Sequence, residues 1–497
     1  MDQNLQSSPG QSSTGTKRVA IDPVTRVEGH GKITLLMDAE NHIKEARLHI
    51  VEFRGFEKFI QGRPYWEVPY FVQRLCGICP VSHHLAAAKA VDQLVGVEQL
   101  TPTAEKQRKL LHFGQTLQSH ALHFFHLSSP DLLFGFGSNL AQRNIVGVLN
   151  KYPAVAVKGV KLRKYGQQVI QAIAGKRIHG TAAVPGGVNK QFTVAERDAL
   201  LADIKDVLVW SQDAVAVNEQ IHISHPEHYG FATLHSNFLG MIGRGGELEL
   251  YHGGLRACAA NGEKIFDQFD YRGYQDIIRE EVRPWSYMKF PYLQELGKEQ
   301  GWYRVGPLAR VNNCDSISTP LAEAARKRFR EFAQGGFVHD TLAYHWARMI
   351  ETLHCAESIQ ALLLDPEITG TDLIADLGEK RRTGIGVIEA PRGTLFHHYQ
   401  IDEEGMIAKA NLIVSTTSNN QAMNESVRSV ANEYIDGHEI TEGLLNHLEV
   451  AVRAYDPCLS CATHALGKMP LQVELLDADG ILLDRLSKGS GGEITRT

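Results

Sequence analysis

Apolar side chains recur at three- and four-residue intervals in two long stretches, which is the spacing of one face of an α-helix. The first stretch follows Thr101-Pro102, where threonine suits a helix cap and proline the first helical position. Its apolar positions are Leu110, Phe113, Leu117, Ala121 and Phe124. The second stretch has the same spacing at Leu342, Trp346, Ile350, Leu353 and Ala356. Shorter runs predict strands from Gly31 to Met37 and from Leu48 to Phe53. The pattern predicts a mainly α (α+β) domain with small peripheral β-sheets.

The start of the chain differs in composition from the rest. Residues 1–17 are rich in Ser, Gln and Gly and poor in apolar residues, which predicts a disordered N-terminal extension. From residue 18 onward we find no linker, and we expect one catalytic domain over 18–464. Charged residues at 22% and a net charge of -6 give no basic excess for binding nucleic acid. No apolar run has the length of a membrane span or the form of a signal peptide, so we expect no membrane insertion.

Four of the seven cysteines form two C-x-x-C pairs far apart in sequence, Cys76/Cys79 and Cys458/Cys461. One turn of backbone brings both thiolates of such a pair to the same side, where they can bind one metal ion. If the pairs converge, the all-sulfur site favours zinc, iron-sulfur centres or other thiophilic metals. These thiolates must stay reduced, which predicts a cytoplasmic location. The single cysteines are predicted to be buried small hydrophobic residues: Cys258, Cys314 and Cys355.

A structural zinc site is the simplest interpretation of two such pairs. Small zinc modules, however, keep their ligands close in sequence, whereas here almost the whole chain separates the pairs. Arg74 and His83 flank the first pair, and Asp456 and His464 flank the second. Because inert metal sites rarely need such neighbours, the flanks favour a site that performs chemistry.

The surroundings of both pairs resemble the two signature motifs of the large, catalytic subunit of nickel-iron hydrogenases. These motifs span 74–83 (RLCGICPVSH) and 456–464 (DPCLSCATH), and the resemblance continues through 26–30 (RVEGH), 54–57 (RGFE) and 389–393 (EAPRG). It implies the fold of that family, a long central helix bundle in which both cysteine motifs meet. It also implies the activity of that family, the reversible heterolytic cleavage of H2 into protons and electrons.

The metal ligands are implied by the same resemblance. Cys76 and Cys458 would be terminal ligands of nickel, while Cys79 and Cys461 would bridge nickel to an iron that also carries carbon monoxide and cyanide. Because accessory proteins make those diatomic ligands, no sequence here encodes them. A separate magnesium ion, a cation that suits carboxylate and water ligands, would be held by Glu57 and His464.

The catalytic residues implied by the resemblance are Glu28, Arg392 and Cys458. Glu28 would take a proton from a terminal thiolate, and a desolvated pocket can raise the pKa of such a carboxyl toward the working pH. Arg392 would lie over the open nickel position, where its fixed donors orient substrate or bind cyanide. Further contacts to the centre would come from His83 to a bridging sulfur, Thr416 to a cyanide, Asp456 to Arg392, and Pro391 beside it. Many relatives have an aspartate where this chain has Ser119, which leaves the pairing of the arginine open.

Other candidate ligands receive a structural interpretation. The histidines His112, His120, His123 and His126 are predicted to lie in the core or at an interface, although two of them are three residues apart on one helix. We find neither a G-x-G-x-x-G after a strand nor a Walker-type loop, so we expect no dinucleotide on this chain.

The tail after His464 resembles the propeptide of hydrogenase large-subunit precursors. An endopeptidase would cut between His464 and Ala465 once nickel is inserted, removing 465–497. The sequence also predicts a hairpin here, because Leu471 to Leu476 and Ile481 to Leu486 flank Asp479-Gly480, a strong turn signal.

Several stretches are most similar to the large subunit of soluble bidirectional NAD-coupled hydrogenases, among them 51–59, 185–189, 285–292 and 456–467. That similarity implies a small subunit with an iron-sulfur cluster and a diaphorase with flavin and NAD, besides the maturation endopeptidase and nickel-insertion proteins. The alternatives are a cytoplasmic hydrogenase coupled to NADP, a deazaflavin or a heterodisulfide reductase, and a protein like the quinone-site subunit of complex I.

Overall fold

The structure is a computed structural model that describes residues 17–228, 230–463, 471–476, 482–488 and 494–496. The predicted N-terminal extension lies outside these residues, except that Lys17 already belongs to the first strand. The described helices are α1 (Phe56–Phe59), α2 (Val68–Phe71), α3 (Pro80–Leu94), α4 (Pro102–Leu122), α5 (Ser129–Phe134), α6 (Ile145–Lys151), α7 (Pro153–Ala174), α8 (Val194–Ser224), α9 (Tyr274–Ile277), α10 (Gly297–Gln300), α11 (Pro307–Asn313), α12 (Pro320–Phe332), α13 (Ala343–Leu364), α14 (Ser415–Ser418), α15 (Asn420–Val430) and α16 (Glu442–Ala454).

The described strands form several small sheets. They are β1 (Lys17–Ile21), β2 (Gly31–Met37), β3 (Ile43–Ile50), β4 (Ala183–Val184), β5 (Gly187–Val188), β6 (Asn237–Ile242), β7 (Gly254–Cys258), β8 (Lys264–Phe269), β9 (Ile278–Glu281), β10 (Phe290–Leu293), β11 (Tyr303–Arg304), β12 (Thr383–Ala390), β13 (Gly393–Ile401), β14 (Ile407–Ile413), β15 (Leu471–Leu476), β16 (Leu482–Lys488) and β17 (Ile494–Arg496). The sheet orders are β1-β2-β3, β10-β9, β11-β6-β7-β8, β12-β13-β14, β15-β16-β17 and β4-β5.

Both long helices predicted from the apolar spacing are confirmed as α4 and α13. Thr101 caps α4 as predicted, because its hydroxyl accepts a hydrogen bond from the Ala104 N–H at 3.2 Å. Helices α4, α7, α8 and α13 pack against one another as the central bundle. Helices α4 and α7 approach closely at Gly114 and Gly166, where a Cβ on Gly166 would lie 2.6 Å from the Gly114 carbonyl oxygen. Among the described residues no helix is both long and apolar enough to span a membrane.

One strand prediction is confirmed and the other is wrong at its ends. Strand β2 has the predicted bounds, but the next strand is Ile43–Ile50 rather than Leu48 to Phe53. Gly31 at the start of β2 pairs with Ile50 at the end of β3. Because β2 begins at Gly31, residues 51–53, which follow Ile50, have no residue of β2 to pair with. Strand length is set here by the partner rather than by composition.

The helix that follows the first cysteine pair lies directly on the sheet of β12, β13 and β14. Gly384 and Gly386 in β12 make this possible, because a Cβ on Gly386 would lie only 1.9 Å from the Ala86 carbonyl oxygen of α3. Glycine therefore allows the backbones of helix and strand to approach closely. The approach brings the N-terminal turn of α3 next to β13.

Most of the predicted core residues outside the cysteine pairs are confirmed. His112, His120 and His123 are buried, whereas His126 is only partly buried. Cys258, Cys314 and Cys355 are buried free thiols. Burial raises the pKa of Cys258 to about 11 and that of Cys314 to about 12, so these thiols stay protonated. In the tail, β15 and β16 pair antiparallel as the predicted hairpin, while Asp479-Gly480 lies outside the described residues.

Candidate metal centre

The two cysteine pairs converge into one buried group. The sulfur atoms of Cys76, Cys79, Cys458 and Cys461 all lie within 4.8 Å of one another. Cys76 and Cys458 are 382 residues apart in sequence, and their sulfurs are 3.0 Å apart. The described residues contain no other group of three or more His, Cys, Asp or Glu with such spacing.

The first pair is held where a short helical turn ends and α3 begins. Cys76 follows the turn Val72–Leu75, and Cys79 is the N-cap of α3, with Pro80 as the first helical residue. The backbone N–H groups of Ile78 and Cys79 donate to the Cys76 sulfur at 3.2 and 3.4 Å. These donors favour a thiolate at Cys76.

The second pair is held by the N-terminal part of the chain. Leu459 donates its N–H to the Glu28 carbonyl oxygen at 2.9 Å, and Glu28 and Cys458 form a parallel β-bridge. On the other side, the Cys458 N–H donates to the Thr416 hydroxyl at 3.1 Å. Two segments distant in sequence from each other, those of Glu28 and Thr416, therefore fix the position of Cys458.

Cys76 differs from Cys458 and Cys461 in its tendency to ionise. Hydrogen bonds from Cys458, Cys461 and Cys79 hold the pKa of Cys76 well below its ordinary value. Burial raises the pKa of Cys458 and of Cys461 well above the ordinary value. The cluster thus places thiols beside a thiolate in a site that excludes water. This donor set fits a soft, thiophilic metal, which would replace the thiol protons.

Glu28 touches the cluster directly. Its Oε2 atom lies 3.0 Å from the Cys458 sulfur and also accepts the Ser460 N–H at 3.1 Å. The Ser460 hydroxyl donates to Glu52 Oε2 at 3.0 Å, and His30 Nδ1 lies 3.5 Å from the same oxygen at the surface. Ser460 therefore contacts Glu28 through its N–H and the surface pair of Glu52 and His30 through its hydroxyl.

Arg392 lies on the turn between β12 and β13 and is buried. Its Nη2 and Nε donate to the Asp456 carboxylate and carbonyl oxygens at 2.9 and 2.5 Å, and its Nη1 donates to the Ser119 hydroxyl at 3.4 Å. Asp456 thus pairs with the arginine, and Ser119 supplies a neutral contact. Burial disfavours the cation, but the charge of Asp456 raises the pKa of Arg392 well above its usual value.

The Asp456 carboxyl shows the opposite balance, because burial raises its pKa more than Arg392 and Arg348 lower it. The hydrogen bond from a guanidinium that stays charged to Asp456 Oδ1 favours the carboxylate form, which we therefore assign at neutral pH.

The remaining predicted site residues occupy varied positions. The Nδ1 atom of buried His83 lies 3.1 Å from His397 Nε2. The Pro391 carbonyl oxygen accepts a hydrogen bond from Arg310 at 3.4 Å. Buried Glu57 accepts the Leu412 N–H at 2.8 Å. His464 and Ala465 lie outside the described residues.

Two residues that the sequence analysis missed extend from His83. His397 Nδ1 lies 2.5 Å from the Tyr399 hydroxyl, so His83, His397 and Tyr399 form a continuous buried chain. The signal that would have revealed them is the i, i+2 spacing of His397 and Tyr399, which places two polar groups on one face of buried β13.

Comparison with known proteins identifies the family. A family model described as HoxL-like matches residues 18–53, and one described as Nickel-dependent hydrogenase matches residues 54–134 and 259–464. The chain belongs to the nickel-dependent hydrogenase family. Among curated members, the beta subunit of the NAD-reducing hydrogenase HoxS of Cupriavidus necator is 49% identical over 95% of this chain and 100% of its own length. A vhc F420-non-reducing hydrogenase subunit of Methanococcus voltae is 41% identical over 91% of this chain and 96% of its own.

Solved hydrogenase structures confirm the predicted fold. An NAD+-reducing NiFe-hydrogenase in the H2-reduced state superposes with a TM-score of 0.89 and 56% identity, covering 90% of this chain and 99% of that one. The reduced Ni-Fe-Se hydrogenase from D. vulgaris Hildenborough shares the fold at a TM-score of 0.73 and 24% identity, over 90% of this chain and 100% of that one. Long central helices with small peripheral sheets are therefore the nickel-iron hydrogenase large-subunit fold.

Proposed function

We propose that this chain is the catalytic subunit of a nickel-iron hydrogenase that cleaves and forms H2 reversibly, coupled through partner subunits to NAD+ and NADH. The observation that carries the proposal is the buried group of four sulfurs with Glu28 3.0 Å from one of them. Membership of the family favours nickel and iron over structural zinc.

The four cysteines would hold the bimetallic centre. Cys76 and Cys458 are proposed as terminal nickel ligands, and Cys79 and Cys461 as bridges to an iron with carbon monoxide and cyanide. When bound, this centre supplies the redox and Lewis-acid chemistry that H2 cleavage requires.

The chain itself supplies the proton transfer. During the reaction the Cys458 sulfur would take up a proton, and Glu28 Oε2 at 3.0 Å would accept it. The Ser460 N–H stabilises the carboxylate that forms whenever Glu28 passes the proton on. Glu28 is itself partly exposed, so it would release the proton toward the surface, where the Ser460 hydroxyl, Glu52 and His30 form a hydrogen-bonded group beside it.

Arg392 and its neighbours orient the other side of the centre. Arg392 keeps a cation beside the sulfurs, because Asp456 fixes its Nη2 and Nε donors. The Thr416 hydroxyl accepts the Cys458 N–H and so retains its own hydrogen to donate to a cyanide. His83 is proposed to contact a bridging sulfur, with Pro391 lining the same pocket.

Two further parts of the proposal concern Glu57 and the tail. Glu57, buried and polar, would bind magnesium together with His464. Residues 465–497 would be a propeptide that an endopeptidase removes after His464, once accessory proteins have inserted nickel. The protein would act in the cytoplasm.

The electrons would leave through partner subunits, namely a small subunit with an iron-sulfur cluster and a diaphorase with flavin and NAD. Near the first cysteine pair, Phe59, Trp66 and Tyr70 are exposed, and Arg74 stacks on Tyr70 with its guanidinium 4.1 Å from the ring centroid. Exposed aromatic residues and arginine are enriched in protein interfaces. A different acceptor is the second candidate, since F420-non-reducing hydrogenases are also similar to this chain.

Infrared spectroscopy of the purified complex tests the proposal. We expect stretching bands of metal-bound carbon monoxide and cyanide. Glu28→Gln should keep these bands and lower H/D exchange at least a hundredfold, because the amide cannot carry the proton. Glu323→Gln, a partly buried carboxylate of α12, serves as the control. A nickel-replete complex without these bands would overturn the proposal.

A further inference from the structure

A buried arginine outside the cysteine site has every one of its donors occupied. Arg310 in α11 donates through Nε and Nη2 to Glu351 at 2.5 and 2.7 Å, and through Nη1 to Glu389 at 2.6 Å. Its two other donors reach the carbonyl oxygens of Ala390 at 3.0 Å and Pro391 at 3.4 Å. A guanidinium has five N–H groups, so this arrangement uses all of them in one fixed orientation.

The two carbonyl contacts are on the residues that immediately precede Arg392. The backbone just after them is also restrained by α11, because a Cβ on Gly306, the N-cap of that helix, would lie 2.9 Å from the Arg392 carbonyl oxygen. Helix α11 therefore holds two consecutive carbonyl groups of the turn by hydrogen bonds, and its N-cap packs against the carbonyl of Arg392.

The other side of the network returns to the Arg392 side chain. Glu351 Oε2 lies 2.9 Å from His120 Nε2, and burial lowers the pKa of His120 to about 4. The neutral ring therefore donates from Nε2. Ser119, the neighbour of His120 on α4, accepts from Arg392. The contacts therefore form a closed loop. Arg310 in α11 holds the backbone before Arg392, and Glu351 in α13 joins Arg310 to His120 in α4. Ser119, next to His120, contacts the Arg392 guanidinium.

Stability alone does not account for this arrangement. A buried ion pair has to offset the desolvation of both partners, and apolar side chains of similar size often stabilise a core as well or better. Glu389 is itself fixed by the Met241 N–H at 2.7 Å and the Thr394 hydroxyl at 2.7 Å. So many directional contacts on one turn restrict its geometry more than an apolar core would.

We propose that Arg310, held by Glu351 and Glu389, is a positioning residue that fixes the Arg392 guanidinium beside the four sulfurs. The inference rests on the proposed function and adds to it residues that hold Arg392 in place from behind the turn. Arg310 acts through the carbonyls of Ala390 and Pro391 and touches no reacting atom itself.

The test compares two arginines of α11 and α4 in the complete enzyme with its partner subunits. Arg310→Lys keeps the positive charge, but an ammonium group has only three N–H donors and cannot make the five hydrogen bonds of the guanidinium. Arg108→Lys is the matched control, because Arg108 is equally buried, pairs with Asp92 at 2.5 Å and donates to the Gly187 carbonyl at 2.8 Å, all away from Arg392. Arg310→Met and Arg108→Met repeat the comparison without the charge.

We expect Arg310→Lys to displace the infrared bands of carbon monoxide and cyanide and to lower H2 turnover per nickel at least tenfold. Arg108→Lys should leave the infrared bands and the turnover at wild-type values, even if its unfolding temperature falls as much as that of Arg310→Lys. Unchanged bands and turnover in Arg310→Lys would overturn the inference, as would equal displacement in both variants. A wild-type complex without the bands would instead refute the proposed function, and the inference with it.

Discussion

Replacement of Asp131 by asparagine is the perturbation whose cost the structure defines best. Asp131 in α5 accepts hydrogen bonds from Arg26 at 2.6 Å, Arg453 at 2.9 Å and Asn446 at 3.1 Å. Its carboxylate also lies 3.6 Å from Arg143 Nε. One buried carboxylate therefore balances a group of three guanidinium ions, and asparagine would keep the size of the side chain but remove that charge.

The magnitude follows from the partners that remain. Breaking a buried ion pair costs about 3–5 kcal/mol, because the surviving charge is left without compensation. We expect the lower end, about 3 kcal/mol, since Arg453 keeps Glu449 at 2.8 Å and Arg143 keeps Glu442. Asp213→Asn is the control, because the Asp213 and Lys158 side chains are 41% and 37% exposed, and such surface pairs contribute about 0–1 kcal/mol.

Urea unfolding followed by circular dichroism measures both variants. Burial opposes ionisation of Asp131, but Arg453 and Arg26 outweigh it and hold its pKa below the ordinary value of 3.8. A depressed carboxyl pKa stabilises the fold above the unfolded pKa and loses that contribution as the pH falls through the folded pKa. The difference between wild type and Asp131→Asn should therefore be full at pH 7 and shrink below about pH 4. Equal costs for Asp131→Asn and Asp213→Asn at pH 7 would refute the reasoning.

Three further predictions concern other parts of the molecule. Tyr399→Phe removes the hydroxyl beside His397 Nδ1, so we expect the unfolding free energy to fall by about 1–3 kcal/mol and the infrared bands to shift. Unchanged bands would mean that the hydrogen bonds of His83, His397 and Tyr399 do not influence the centre. Gly386→Ala should lower the unfolding free energy by about 1–3 kcal/mol, because its Cβ would meet the Ala86 carbonyl, whereas Gly137→Ala has open space and should cost far less; equal costs would contradict the close approach. Burial lowers the pKa of Lys89 to about 7, while the unfolded lysine keeps its proton to about pH 10. Stability should therefore rise with pH across that interval and rise less in Lys89→Met, as urea titrations at pH 7 and 9 would show; equal slopes would contradict the shift.

Local patterns were sufficient to predict the elements that depend on local interactions. The apolar spacing and the cap at Thr101 predicted α4 because helix contacts lie within a few residues. The end of β3 could not be predicted, because it depends on where β2 runs out of pairing residues. Strand ends are properties of a pair of strands, and a single segment does not contain them.

The same distinction applies to the candidate site. Spacing within each cysteine pair was visible in the sequence, and the motif around Glu28 indicated a residue that the structure places 3.0 Å from a sulfur. Glu389 lies in the motif at 389–393, but its network with Arg310 and Glu351 had no such signal, because the three residues come from β12, α11 and α13 and share no periodicity. Only the packing of those elements brings the charges together.

The separation of the two cysteine pairs also imposes an order in time. A ribosome that adds about 5–20 residues per second needs roughly 20–80 s to synthesise the 382 residues between Cys76 and Cys458. During that interval the nascent chain exposes two thiols of an incomplete chelate, which any thiophilic ion in the cell could occupy. Correct loading must therefore wait until translation has delivered the distal pair, which makes metal selection a post-translational event.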